Sequence, residues 1–206
     1  MNDPALATTP GSIGTRLRTR REQLGLSLRD IAGRVGVSAS LISQIERDKV
    51  NPSVSTLWAL VTELGLRMGD VFPDEGPEPP RAAPADGPTA APGTRVVLNL
   101  EGGVQWERLT PTSDPLVEFL FVSYEPGSAS CDEDSLIRHG GHEYGYVISG
   151  RLGVRIGFEE YELGPGGSVA FHASAPHRLW AVGDEPVEAV WVVVGREGDP
   201  RLRQVT

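Results

Sequence analysis

Four histidines occur in the chain, and two of them stand in the stretch LIRHGGHEYGYVISG, residues 136–150. His139, His142 and Glu143 fall within five residues there, and the other two histidines are His172 and His177. Imidazole is the commonest metal-ligating side chain and a versatile hydrogen-bonding group. A neighbouring carboxylate adds charge for a cation. The cluster therefore suits one of two tasks: holding a metal ion that does chemistry, or lining a pocket that recognises a small molecule. A single cysteine, Cys131, forms no internal disulfide and leaves no thiolate cluster for zinc.

The elements that must position these residues are strands. After residue 93, runs such as TRVVLNL, LVEFLFVSYEPG, YGYVISG, RLGVRIG, SVAFH, HRLWAV and EAVWVVVG are short, alternating and split by Gly, Pro or acidic turns. That pattern predicts an all-β sandwich or barrel of roughly a hundred residues. Residues 73–93, PDEGPEPPRAAPADGPTAAPG, hold much of the proline and almost nothing that builds a core, so a linker is expected. Before it the pattern is helical. Ile13, Leu17 and Leu24 share helical spacing. Ser27 is placed to cap LRDIAGRV, Gly36 to end it, and Ser38 to cap a third helix burying Leu41, Ile42 and Ile45. Val54, Leu57, Leu60, Val61 and Leu64 face inward from a fourth. The expected division is 11–72 for the helical domain, 73–93 for the linker and 94–198 for the β domain.

The net charge of −9 argues against nucleic acid for the chain as a whole, but it is unevenly spread. Residues 1–72 carry nine Lys/Arg against seven Asp/Glu, whereas residues 73–206 carry ten against twenty-one. Such asymmetry hints at separate partners for the two halves. No window approaches ~20 uninterrupted apolar residues, and MNDPALATTPGS lacks the form of a secretion signal. A cytoplasmic location is expected.

Two short helices joined by a tight glycine turn form a helix-turn-helix, in which the second helix enters the major groove. Ser38 and Ser40 at its start are small enough to approach phosphates or base edges. Ser43 and Gln44 follow one turn later, and Gln44 suits an adenine edge. Arg47, Lys49 and Asn51 lie just beyond, where phosphate contact is expected. Residues 13–72 resemble the lambda-repressor-like, xenobiotic-response-element (XRE) family of regulators, through LSLRDIAGRVGVSASLISQIERDKVNPSVSTLWALVTELG. That resemblance implies a recognition helix at Ser38–Arg47 with Ala39, Ser40, Ser43 and Gln44 facing the groove. Leu28 departs from the family's usual Gln. One such domain offers a small interface, so a homodimer on a palindromic DNA operator is expected.

Residues 94–195 resemble the cupins, in particular the single-cupin effector domains of two-part regulators. In the first cupin motif His139, Glu143 and Gly150 keep the second histidine, the glutamate and the closing glycine, while Cys131 and Ile137 replace the first glycine and histidine. In the second, Gly166 and His177 are kept, and His172, Ser174 and Ala181 replace the usual residues. The resemblance implies a closed cupin barrel (a double-stranded β-helix), so that the fold class is multidomain, all-α followed by all-β. It also implies His139, Glu143 and His177 as the ligands of one divalent metal ion, with Fe, Mn, Zn and Ni all open. A two-histidine, one-carboxylate face is the ligand set of non-heme Fe(II) oxygenases. Strand alternation points His142 away from this set, and His172 falls in a turn.

Around the pocket, Arg138 and Arg155 are candidates for an anionic small-molecule effector. Tyr144, Tyr146, Phe171, Trp180 and Trp191 read as core, and the first four of these are carried forward as effector contacts. The expected function is a ligand-responsive transcriptional repressor with no enzymatic role. The alternative is a non-heme Fe(II) oxygenase, because the chain also resembles in plan the iron epoxidases that act on hydroxypropylphosphonate. Against that alternative stand the groove-sized polar residues of SASLISQIERDK and the lack of a basic cluster near the pocket.

Overall fold

The computed structural model describes residues 11–72 and 88–195. Most of the expected 73–93 linker and the last residues of the expected 94–198 domain therefore lie outside the described residues.

Four α-helices open the chain: α1 (Ile13–Gln23), α2 (Leu28–Val35), α3 (Ala39–Ile45) and α4 (Val54–Glu63), followed by a 3₁₀ turn at Met68–Val71. Local chemistry sets their ends. Ser27 and Asp30 form a reciprocal capping box at the start of α2, and Gly36 ends α2 in the left-handed conformation (φ 79°). The hydroxyl of Ser38 accepts from the Leu41 amide, 3.1 Å, so α3 begins three residues after the turn glycine. Leu17, Ile31, Ile42, Ile45, Leu57, Leu60 and Val61 form the buried centre, while Leu24 is exposed and Leu41 half-buried. Arg21 of α1 is clamped to Glu46 at the end of α3: Nε donates to Oε1 at 2.6 Å and Nη2 to Oε2 at 2.8 Å, both side chains being buried. That pair ties the candidate recognition helix to its scaffold.

Nine strands follow: β1 (Val97–Leu100), β2 (Val104–Arg108), β3 (Val117–Tyr124), β4 (His142–Ser149), β5 (Leu152–Ile156), β6 (Glu159–Leu163), β7 (Ser168–His172), β8 (His177–Ala181) and β9 (Val187–Val194). They make two antiparallel sheets, one of order β1-β2-β3-β9-β4-β7 and one of order β6-β5-β8. The expected closed barrel is thereby corrected, because the two sheets are separate and do not join into one ring. The reason lies in residues 125–137, EPGSASCDEDSLI, which pass the free edge of β8. This Pro-, Gly- and Asp-containing stretch supplies only isolated bridges, Ala129 to Trp180 and Ile137 to His177, in place of a continuous ladder.

The core is continuous from helices to sheets. Val54 and Trp58 of α4 line the same cavity as Leu120 and Val122 of β3 and Leu179 of β8.

Candidate functional site

Strand β4 alternates strictly. Glu143, Gly145 and Val147 point inward, while His142, Tyr144, Tyr146 and Ile148 point out. His139 sits in the loop before β4 and His177 opens β8. Backbone bonds zip these segments together: Ile137 N to His177 O at 3.0 Å, His177 N to Ile137 O at 2.8 Å, and His139 N to Ala173 O at 2.9 Å. The result is a buried cluster of His139, Glu143 and His177 whose ligand atoms all lie within 4.8 Å of one another. The two imidazoles stand edge to face, centroids 5.2 Å apart at 86°.

The chemistry of the donors suits a cation. Each histidine uses Nδ1 on a backbone carbonyl, His139 on Gly140 and His177 on Ala175, both at 2.9 Å, so that Nε2 is turned toward Glu143. His139 Nε2 lies 2.6 Å from Glu143 Oε1, yet it is buried and finds no aligned hydrogen-bond partner among the described residues. His177 Nε2 lies 3.4 Å from the same oxygen. Burial pushes the His177 pKa down, against the pull of Glu143, which favours the neutral imidazole that ligates metals. Burial would raise the Glu143 carboxyl, but the close His139 contact, the facing imidazole charges and the Trp191 N–H together hold it below the usual carboxylate range. Two imidazoles, a carboxylate and an orphaned ring nitrogen fit a divalent metal ion, held by His139, Glu143 and His177.

Trp191 of β9 completes the site. Its indole N–H donates to Glu143 Oε2 at 2.8 Å, leaving Oε1 for the cation. The ring fits because residue 145 is glycine: a Cβ there would collide with it. Trp191→Phe keeps most of the packing and removes only the donor, so metal affinity should fall about 10–100-fold, the usual cost of losing an outer-shell partner. A Mn(II) titration of the two proteins checks this, and equal affinities would show that the bond does not position Glu143.

Beside the cluster lies a small cavity lined by Glu143, His177, Leu120, Val122, Tyr124 and Trp191 among others. The Tyr124 hydroxyl is held protonated, burial and the Glu143 charge both raising its pKa. None of the six expected effector contacts lines this cavity. Tyr144 and Tyr146 stand on the outer face of the sheet, and Arg138 is exposed. Arg155 donates to Gly157 O at 3.3 Å. Trp180 packs over Gly153 beneath Arg178 on the outer side of β8. Phe171 comes nearest, its ring 5.1 Å from that of His177. His142 and His172 pair across β4 and β7 on the outward face. Cys131 is buried, and burial pushes its thiol pKa up, away from reactivity. Sequence reasoning missed Trp58 and Val54 of α4, which wall the cavity from the helical side.

On the helical domain, Ser38, Ser40, Arg47, Lys49 and Asn51 are exposed, and Ala39, Ser43 and Gln44 are half-buried. Gln44 Nε2 donates to Ser40 Oγ at 3.3 Å, one turn back, and Arg47 Nε to the Ser43 carbonyl at 2.9 Å. The face is polar and open.

A helix-turn-helix bundle followed by a two-sheet domain with a buried metal-type cluster defines a two-domain DNA-binding regulator. Comparison with known proteins agrees. Residues 17–71 match the helix-turn-helix family and residues 120–193 the cupin domain family. The HTH-type transcriptional regulator PuuR of Escherichia coli K12 is 33% identical over 186 residues, covering 86% of this chain and 89% of that protein. That alignment spans both domains, and the chain belongs to this family of HTH-type transcriptional regulators. Among solved structures, an HTH_3 family transcriptional regulator from Vibrio cholerae shares the fold, with TM-score 0.61 at 22% identity over 90% of this chain and 96% of that one. Hydroxypropylphosphonic acid epoxidase from S. wedmorenis aligns over 90% of this chain and 98% of its own with TM-score 0.43 and 20% identity, a level that bears no weight on chemistry.

The expectation of no enzymatic role is nevertheless corrected by the site itself. A buried two-histidine, one-carboxylate face is a catalytically competent ligand set, and it is assembled in this chain. No helix among the described residues is long and apolar enough to cross a membrane.

Proposed function

We propose that the chain is a sequence-specific DNA-binding transcriptional regulator of the XRE type, whose cupin domain binds one divalent metal ion on His139, Glu143 and His177 and senses a small molecule in the adjoining cavity. The observation that carries this reading is the presence, in one chain, of an open polar recognition helix and a buried three-ligand cluster beside a cavity. The domains take the spans 11–72 and 94–198, joined by a linker at 73–93. Ser38, Ala39, Ser40, Ser43 and Gln44 meet the groove, and Arg47, Lys49 and Asn51 meet phosphates. The protein acts in the cytoplasm as a homodimer on a palindromic operator, and repression is its output.

Selection of duplexes from a random pool tests the DNA half. The expected product is a palindrome with half-sites about one helical turn apart. Gln44→Ala should weaken binding to it by about 1–3 kcal/mol at one base pair of each half-site. Arg47→Ala should instead weaken all duplexes evenly and reduce the salt slope by about one. Failure to enrich any sequence would defeat this half of the reading.

A second reading is favoured by the triad: Fe(II)-dependent oxidation of the molecule that enters the cavity. Bound iron would supply oxygen activation, whereas zinc or manganese would supply polarisation of a ligand atom. The chain's own contribution is the same in both cases. Trp191 orients Glu143, backbone carbonyls fix the imidazole tautomers, and Leu120, Val122 and Leu179 keep the cavity apolar. Oxygen uptake by the iron-loaded protein with small-molecule pools separates the two, since uptake coupled to loss of an organic substrate belongs to the oxygenase alone.

A further inference from the structure

The cavity beside the metal-type cluster is not a cupin pocket alone, because α4 of the helix-turn-helix domain forms one wall of it through Val54 and Trp58. The Trp58 indole lies flat on the His139 imidazole, with ring centroids 3.9 Å apart and planes 8° apart. Few contacts are so demanding of orientation. If the imidazole turns, both the stack and the aim of His139 Nε2 are lost, and if the indole turns, the stack is lost.

The surrounding backbone reinforces the contact. The Ser55 amide in the first turn of α4 donates to the Ser130 carbonyl at 3.2 Å. Ser130 is itself bound to Leu179 of β8, the strand that His177 opens, by its amide to the Leu179 carbonyl at 2.8 Å and by its hydroxyl from the Leu179 amide at 3.0 Å. The Glu101 amide donates to Pro52 O at 2.9 Å, just before the helix. On its other side α4 contributes Leu57, Leu60 and Val61 to the helical core, packing on α2, which in turn packs on α3. A continuous path of packed groups thus runs from His139 through Trp58, α4 and α2 to the recognition helix.

We propose that Trp58 is the positioning residue that couples the metal site to the DNA-binding domain, holding the His139 ring for the metal and relaying the occupancy of that site to α4 and the helices packed on it. The proposal rests on the reading of His139, Glu143 and His177 as a metal site. A metal bond at Nε2 fixes the plane of His139, and the stacked indole then restricts α4. By linkage, operator binding that orders the same helices strengthens metal binding by the same factor.

The test is hydrogen–deuterium exchange on the full chain, metal-stripped and with saturating Mn(II), a hard ion that prefers the carboxylate-bearing site to the outward His142–His172 pair. In the wild type, amides of α4 and of α2–α3 should gain protection by a factor in the range of about 5–150 on metal addition. Trp58→Phe, which still stacks, should keep that gain. Trp58→Leu, which fills space but does not stack, should lose it while the cupin amides near residues 137–145 still respond to metal. If the wild type binds Mn(II) and α4 is unchanged, or if Trp58→Leu shows the full gain, the coupling is overturned and the metal site stands. If the wild type binds no Mn(II), the metal reading falls and the coupling with it. The wild-type comparison decides the matter even should the Leu variant not fold.

Discussion

Glu46→Ala is expected to destabilise the helical domain by about 3–5 kcal/mol, the cost of breaking a buried ion pair from one side. Arg21 would be left buried with the Leu26 carbonyl at 2.8 Å and only the exposed Glu22 carboxylate, 3.6 Å away, for charge. It has no escape through deprotonation, since a guanidinium stays charged even without the Glu46 bond. A loss of that size is a large part of the stability of a typical domain. It acts where α1 holds the end of α3, so DNA binding should fail together with the fold. Urea unfolding followed by circular dichroism measures it. The paired control is Arg21→Met with Glu46→Leu, which removes both charges and should recover most of the loss. A shift below about 1 kcal/mol in the single variant would mean that the clamp contributes no more than a surface pair.

Glu143→Gln is expected to reduce metal affinity by more than the roughly 10–100-fold that loss of an outer-shell partner costs. The substitution is nearly isosteric, and the amide oxygen can still accept from Trp191, so the fold should be kept. What it removes is the negative charge and the oxygen that both histidine Nε2 atoms face. The amide nitrogen that takes that place brings hydrogens where a cation needs a lone pair. Mn(II) titration with an unfolding curve on the same sample separates a lost ligand from a lost fold. Wild-type affinity in the variant would remove Glu143 from the ligand set.

Much of this was legible in the sequence because local rules decide it. Ser27, Gly36 and Ser38 cap and end the helices they were expected to, since their side chains or backbone freedom act within a few residues. The convergence of His139, Glu143 and His177 followed from the cupin motifs, and the alternation of β4 correctly sent His142 outward. The same period-two rule, applied to Tyr144 and Tyr146, would have removed them from the pocket, since Glu143 inward requires both outward.

What was not legible depended on contacts between distant parts. The closed barrel failed because residues 125–137 pass β8 without forming a ladder, which a resemblance at the motif residues does not report. The cavity wall was missed because it comes from α4. A signal for it existed: Val54 and Trp58 widen the apolar face of a helix whose Leu57, Leu60 and Val61 already fill the helical core. An apolar face wider than its own bundle covers must find a second cover. The expected absence of catalysis rested on the DNA-binding features of the other domain and on the lack of a basic cluster near the pocket, and neither says what a buried triad can do.

The metal site is the centre of the proposed function, and locating the ion tests it most directly. Crystals of the full chain, stripped and then reloaded with Mn(II) or Fe(II), should show by anomalous scattering one ion per chain bonded to His139 Nε2, Glu143 Oε1 and His177 Nε2. A reloaded protein with no ion at these three side chains, or with its ion on the outer His142–His172 pair, would contradict it.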